Sequence, residues 1–500
     1  MTGELLRSYL LYLLVLTGGM YILIFLFKRQ RKAYPCKEMP GPLTLPLVGN
    51  SYMLLGCSLS EAFNRVRRIR KQYGNTVKFS IGKQLLVTIS EPVAIERTIG
   101  NKSLIERSEL AKLITKELFR NGLLLNGGET WRLHRKIISL MFHNSVLDKF
   151  VEIFSNNATI MTEKLSQIPP ETIFNTYEYA VLCTIDAIYE SILGKTVNAQ
   201  LERRLEFPEH LSEVLKIIGE RARRPWLFLD FFFRRSEFSD RMNREVNFFY
   251  DHAKQILNEQ RDKYIKTGFT QEGSKTKSIL DLFIENGDLE DEEILEETVT
   301  MLTTGSETTA TVFSLALVAL GHHQDVQEKV IEEQWSIFGQ NCQRPVTKED
   351  LHHMHYLEQV LKEVMRLFPP VTFIFRTVQE DTDLGNGYLA PKGSSITVLS
   401  NETHRDPAIY ENPNEFDPDR FSPENCFGRH PYAYIPFGGG RRICVGYKYA
   451  MMEMKTMLSV MLRRLRVVRA IDDLEKIEKK LEFGLILRSS IGYKIHIESR

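Results

Sequence analysis

"FGGGRRICVGYKY", Phe437–Tyr449, places one cysteine among four glycines and three basic residues, just ahead of a helical pattern. A disulfide, a zinc site, a nucleophile and an iron ligand are the open readings, and each demands different company. The other cysteines (Cys36, Cys57, Cys183, Cys342 and Cys426) are scattered, with no C-x-x-C pair. That spacing argues against a zinc cluster and against a disulfide-rich secreted scaffold, and it favours a reducing, cytosol-facing compartment. A thiol hydrolase needs a histidine paired with Cys444, and no spacing in the chain identifies one.

The helical pattern after Gly446 includes Ala450, Met454, Met457 and Met461 on one face. A cysteine at a helix N-terminus feels the positive end of the dipole and unpaired N–H groups, which favour thiolate. Gly440 and Gly446 are the residue type that lets backbone approach a flat ligand, and Arg442 suits an acidic group on it. One thiolate on iron, with the remaining positions left to a porphyrin, is a known haem arrangement. The pattern F-x-x-G-x-R-x-C-x-G is met by Phe437, Gly440, Arg442, Cys444 and Gly446. Five fixed residues arise by chance in roughly one such chain in ten thousand. An inert buried cysteine is the bland alternative.

Around this loop lie 500 residues, 43% hydrophobic and 26% charged, with ample material for a core. Length alone suggests about two or three domains, yet no boundary divides the body into separable halves. A net charge of +1 gives no support to nucleic-acid binding. Ser8–Phe27 carries no charge and is long enough to cross a bilayer, and "KRQRK" (Lys28–Lys32) follows at once. The basic stop and the lack of a small-residue cleavage site favour a retained anchor over a cleaved signal, with the following residues in the cytosol. "PGPLTLPLVGN" (Pro40–Asn50) cannot continue a helix and reads as a stiff linker.

Val77, Phe79 and Ile81 alternate, turn at Gly82–Lys83, and resume at Val87 and Ile89, which predicts a hairpin. From about 130 to 370 the period is helical. Leu357, Val360, Leu361, Val364 and Phe368 share one face before Pro369–Pro370 stop the helix. Thr267–Ser278 reads as a mobile loop, and short β-branched runs dominate from Thr372 to about Arg429.

The cysteine stretch resembles the haem-binding loop of the cytochrome P-450 monooxygenases, and the likeness extends over nearly the whole chain. It implies a mainly α fold with small β-sheets, the cytochrome P-450 fold, on a single-pass N-terminal anchor. The expected layout is an anchor and basic stop over 1–32, a linker over 33–50 and a haem-thiolate monooxygenase domain over 51–500. "LEQVLKEVMRLFPP" resembles the family's E-x-x-R helix, with Glu363 and Arg366 one turn apart and able to pair. "FDPDRF" resembles the segment whose arginine, Arg420, closes a structural Glu–Arg–Arg network. "WRLHR" matches W-x-x-x-R, so the resemblance assigns Trp131 and Arg135 to a haem propionate. Arg376, after "PPVTFIF", and Arg442 match two more propionate contacts. Cys444 would be the axial thiolate of haem b (iron-protoporphyrin IX).

"TGSETT" (Thr304–Thr309) resembles the family's oxygen-side motif. Gly305 and the hydroxyls suggest local loosening of that helix. Thr308 would hold water at the oxygen site and Glu307 would connect it to solvent. The closest likeness within the family is to the clan of animal microsomal fatty-acid ω-hydroxylases. Many of these carry a glutamate, able to esterify the haem, where this chain has Thr304. Covalent haem attachment is therefore not expected, strict ω-selectivity is not implied, and the pocket near iron should be narrower and more polar. "RRPWLFLDFFFRR" (Arg223–Arg235) resembles by position a mobile lid near the membrane, and its composition suits the bilayer interface and a core helix alike.

No G-x-G-x-x-G nucleotide fingerprint is visible, so electrons must come from a partner. The resemblance implies NADPH–cytochrome reductase, with cytochrome b5 as a further candidate, on the endoplasmic reticulum membrane. Arg132, Arg135, Lys136, Arg441 and Lys448 form a candidate docking face. The substrate would be apolar: a fatty acid, a hormone-like lipid or a foreign compound. Two alternatives keep the cofactor: a partner-independent isomerase or dehydratase, which the Glu307–Thr308 pair argues against, and a non-enzymatic haem-binding protein.

Overall fold

The computed structural model describes residues 17–18, 39–46, 48–101, 104–203, 206–267, 277–339, 341, 343–482 and 484–500. The apolar run Ser8–Phe27 lies outside them except for Thr17 and Gly18, as does most of the loop Thr267–Ser278. Among the described residues, no helix is long and apolar enough to cross a membrane.

The alternating run near residue 80 forms β1 (Thr76–Ile81) and β2 (Gln84–Ile89), an antiparallel hairpin. Its turn uses Gly82 at φ +57°, the left-handed region that glycine enters without strain. The helical body contains α1 (Gly128–Met141), α2 (Val151–Ser166), α3 (Tyr177–Ile188) and α4 (Glu206–Arg223). Next come α5 (Asp291–His322) and α6 (His355–Leu367), followed by β3 (Phe373–Thr377) and β4 (Ser395–Leu399). The four strands pair in the order β1-β2-β4-β3, with β2 and β4 parallel and the other pairs antiparallel. After the cysteine loop come α7 (Tyr447–Leu462), β5 (Leu465–Ala470) and β6 (Lys494–Ser499), the last two antiparallel.

The 32-residue α5 runs through the middle of the molecule. From Ala310 to Gly321 every residue is buried, the pattern of a helix surrounded by protein on all sides. It packs on α3, α7 and β5. On α6, Leu357, Val360, Leu361 and Val364 are buried, as the spacing predicts. One core gathers the helices, and a second lies on the sheet around Val87, Ile89, Ile396 and Val398.

Within the segment expected as a stiff linker over 33–50, the described residues from Met39 onward lie along β1. Lys78 N–H donates to the Pro40 carbonyl at 2.8 Å, and Gly49 bridges to Ile81. Asn50, fully buried, accepts from Ser80 N–H at 2.8 Å and donates to the Leu43 carbonyl at 2.8 Å. The prolines prevent helix, and the side chain of Asn50 supplies the hydrogen bonds that hold this coil on β1.

Candidate active site

A cavity of about 440 Å³ opens between α5, the sheet and the cysteine loop, within the roughly 300–1,000 Å³ usual for small-molecule sites. Its walls are mostly apolar. Leu118, Phe119, Ile188, Val312 and Phe373 line it, with Cys444 on one side and Thr304, Gly305 and Thr308 on the α5 side.

Cys444 sits two residues ahead of Gly446, the N-cap of α7. Its N–H donates to the Phe437 carbonyl at 2.9 Å, which folds the loop back on itself. The helix-terminus argument favours thiolate, but Cys444, although exposed to the cavity, is desolvated by the protein around it, which pushes its thiol up. Gly446 N–H and the Arg135 charge pull in the other direction without prevailing. A thiolate here therefore calls for a cation beside it, as a metal ligand would have.

The glycines divide into two roles. A Cβ on Gly440, which has φ +65°, would sit 2.0 Å from the Ile99 carbonyl. Its close approach is thus to protein backbone and not to the cavity. A Cβ on Gly446 would meet nothing nearer than Phe142 at 3.7 Å and the Cys444 sulfur at 4.0 Å. Phe437 lines the cavity, its ring centroid 6.2 Å from that of Tyr447.

Opposite the apolar walls, Arg107, Arg135, Arg376 and Arg442 converge on one end of the cavity. Arg135 donates to the Ile443 carbonyl at 2.8 Å, so it points inward and leaves the expected docking face to Arg132, Lys136, Arg441 and Lys448. Arg442 donates to the carbonyls of Ile105 (2.8 Å), Leu123 (3.0 Å) and Asn126, and its guanidinium lies 4.5 Å from the Trp131 ring centroid. Arg376, on β3, is fully buried, gives one bond to the Phe375 carbonyl at 2.7 Å, and leaves its Nε unpartnered. Burial, then repulsion from Arg107 and Arg442, holds Arg376 well below the usual guanidinium range. Burial brings Arg107 down to about 10, and burial with Arg107 repulsion brings Arg442 down to about 9. Burial also lowers Arg135. Packing four cations together is costly unless an anion joins them. A dianionic porphyrin meets that need and presents its metal to a nearby sulfur, so the residues fit the group. Arg107 was missed from the sequence because it stands in no motif.

On α5 the helix is continuous through "TGSETT", contrary to the expected loosening. Thr304 and Thr308 return their protons to the carbonyls of Thr300 (2.6 Å) and Thr304 (2.9 Å). Gly305 serves packing instead, since a Cβ there would come 2.6 Å from Ile188 of α3. Glu307 is fully buried on α5. Arg488, absent from the sequence reading, donates to both its oxygens at 3.3 and 3.1 Å, and reaches Ser212 of α4 at 2.8 Å. Burial nonetheless raises the Glu307 carboxyl, with Arg488 and Tyr177 opposing.

Behind the cysteine loop, Arg366 donates to both oxygens of Glu363 at 2.7 and 2.8 Å, both side chains fully buried. Arg420 Nε lies 3.6 Å from Glu363 and so closes the third corner.

Comparison with known proteins agrees with this geometry. The chain is 32% identical to human "Cytochrome P450 4V2" over 508 residues, covering 97% of this chain and 95% of that one. It is 30% identical to "Cytochrome P450 4c3" of Drosophila melanogaster, covering 100% and 96%. Against "Cytochrome P450 4c21" of Blattella germanica it is 32% identical, covering 92% and 93%. The family profile described as "Cytochrome P450" matches residues 39–496, the span from the docked coil to β6. The chain belongs to the cytochrome P450 family, whose members hold haem through a cysteine thiolate, and it is a monooxygenase among the oxidoreductases.

Proposed function

We propose that this protein hydroxylates an apolar substrate in the cavity between α5 and the sheet, using haem b ligated by Cys444 and electrons from a reductase. The observation that carries the reading is the placement of Cys444 and four guanidiniums, those of Arg376 and Arg442 buried, around one apolar cavity walled by Thr308. The bound group supplies dioxygen activation, with thiolate donation favouring O–O cleavage. Arg107, Arg135, Arg376 and Arg442 neutralise its propionates, and Trp131 stacks on Arg442 to hold that guanidinium in place. Leu118, Phe119, Val312 and Phe373 exclude water and orient the substrate by shape. Thr308, its proton given to the Thr304 carbonyl, presents oxygen lone pairs that hold a water at the cavity wall. Glu307 keeps a proton in reserve because burial raises its carboxyl. The Glu307–Thr308 pair favours this reaction over partner-independent rearrangement.

The membrane side of the reading rests on Ser8–Phe27 and on Arg223–Arg235. In the latter, Trp226, Leu229, Phe231 and Phe232 are 48–60% exposed beside the basic residues, whereas Leu227 and Phe233 are buried. Exposed aromatics flanked by arginine fit the headgroup boundary. Endoplasmic reticulum location, NADPH–cytochrome reductase and cytochrome b5 complete the proposal, with Arg132, Lys136 and Arg441 as exposed docking cations.

Purified protein with reductase and NADPH should oxidise members of a fatty-acid, hormone and xenobiotic panel that first give a spectral shift. Failure to turn over any binder would overturn the enzymatic reading. In Thr308→Ala, product per NADPH should fall roughly 100-fold, the low end of a general acid–base contribution, with peroxide rising in step. In Arg488→Met, Glu307 loses the charge that opposes its raised carboxyl. It then keeps its proton to higher pH, so the alkaline limb of the coupling profile should move upward. An unmoved limb would separate Arg488 from the proton supply.

A further inference from the structure

His134 of α1 is fully buried, although no motif role was assigned to it. Its Nδ1 lies 2.7 Å from Glu297 Oε1 and its Nε2 lies 3.3 Å from Glu293 Oε1, both on α5. Glu293 is itself fixed, because its other oxygen accepts Glu290 N–H at 2.9 Å in the box that caps α5. One imidazole thus joins the helix carrying Trp131 and Arg135 to the helix carrying Glu307 and Thr308.

The coil between residues 121 and 126 is caught in the same joint. Asn121 and Leu123 turn their N–H groups toward Glu296 and Glu297. The side chain of Asn126 packs 3.3 Å from His134 Nδ1, a contact that is not a hydrogen bond while that nitrogen donates to Glu297. Gly122 presses so closely on α5 that a Cβ there would meet the Thr300 hydroxyl at 2.5 Å. On its other side this coil gives the Leu123 and Asn126 carbonyls to Arg442, two residues before Cys444. Glu297 thus draws the Leu123 N–H of the coil, and the same coil gives its Leu123 and Asn126 carbonyls to Arg442.

We propose that His134, held between Glu297 and Glu293, is a positioning residue that locks the carbonyl cage of Arg442, and with it the cysteine loop, to the oxygen-side helix. The proposal rests on the haem-thiolate reading given above. A helix-to-helix hydrogen bond alone would need no imidazole. The two-sided contact to two carboxylates needs a ring that donates from both nitrogens, as protonated histidine does and neutral histidine does not.

The pH sense follows from the surroundings. Burial pulls the imidazole pKa down, but the hydrogen bonds and charges of Glu297 and Glu293 together raise it above its ordinary value. The clamp is fully present below about 6.5, the ordinary histidine value, and is lost as pH climbs through the raised one. Burial also raises Glu297, so at the acid end the protonated imidazole still donates to it, to a neutral carboxyl in place of a carboxylate. Glu293 and Glu297 are the charged groups facing the ring, and Asn126 is the uncharged one.

The test is haem transfer from the holoenzyme to excess apomyoglobin, with the reduced-carbonyl band followed in parallel, between about pH 6 and 9. H134F and E297Q should transfer haem on the order of tenfold faster near neutral pH, the equivalent of one charge-assisted hydrogen bond. E293Q, at the longer contact, should show a smaller increase. The gap should close as pH rises, because the wild-type clamp loses its proton. Equal rates for wild type and variants would overturn the proposal, and so would an acceleration that is the same at every pH, the mark of a packing defect. If H134F does not accumulate as holoprotein, H134Q and E297Q carry the comparison. Absence of the thiolate-type band in wild type would instead refute the haem-thiolate reading.

Discussion

Cys444→Ala is expected to abolish the red-shifted Soret band of the reduced carbonyl complex and to lower turnover more than about 100-fold. Loss of residues merely supporting a metal ligand typically costs 10–100-fold, and Cys444 is the ligand itself in this reading. The substitution should leave the fold in place. The loop is held by Cys444 N–H to the Phe437 carbonyl and by the bonds of Arg442, none of which uses the sulfur. The four guanidiniums remain to bind a dianion, so haem should still enter, in a form lacking thiolate character. Circular dichroism and haem content thus separate ligand loss from misfolding. A Cys444→Ala protein that keeps the red-shifted band would end the assignment of the site.

The local pattern carried much of this in advance, and the reason is physical. Glu363 and Arg366 lie one turn apart on one helix, where spacing fixes which groups meet, so motif and geometry coincide. The hairpin at Val77–Ile89 was legible because period two and a glycine turn leave few other solutions. What escaped was contact across long sequence separation. Arg107, His134 and Arg488 acquire their meaning from partners far along the chain, such as Glu297 and Glu307. No periodicity reports such pairings. Gly440 and Gly305 show the other limit. Their residue type suggests room for a ligand or a loosened helix, yet the neighbours that require them are the Ile99 carbonyl and the Ile188 side chain. A glycine announces close approach without saying to what. The linker expected over 33–50 rests on proline excluding helix, while the buried Asn50 that docks its second half gives no signal in the sequence.

Arg366→Leu is expected to be the most destabilising single change outside the cavity, by about 3–5 kcal/mol, the cost of breaking a buried ion pair from one side. Arg366 spends its donors on Glu363 and on the carbonyls of His404 (2.9 Å), Pro413 (2.7 Å) and Glu415 (3.0 Å). Leucine is shorter and apolar, and it takes the guanidinium away from a buried carboxylate and three carbonyls, each of which carries its own desolvation cost. Glu363 also accepts Asp417 N–H at 2.9 Å and faces Arg420, so the defect spreads into the segment leading to the cysteine loop. Arg366→Lys keeps the charge but cannot make the two parallel bonds to Glu363 or reach all three carbonyls. Its loss should be intermediate. Denaturant unfolding of the holoprotein should rank wild type above Lys and Lys above Leu, and the Leu protein should fail to retain haem. Were Arg366→Leu as stable as wild type with its haem intact, this buried pair would be an ornament of α6 rather than the joint that sets the cysteine loop on its helix.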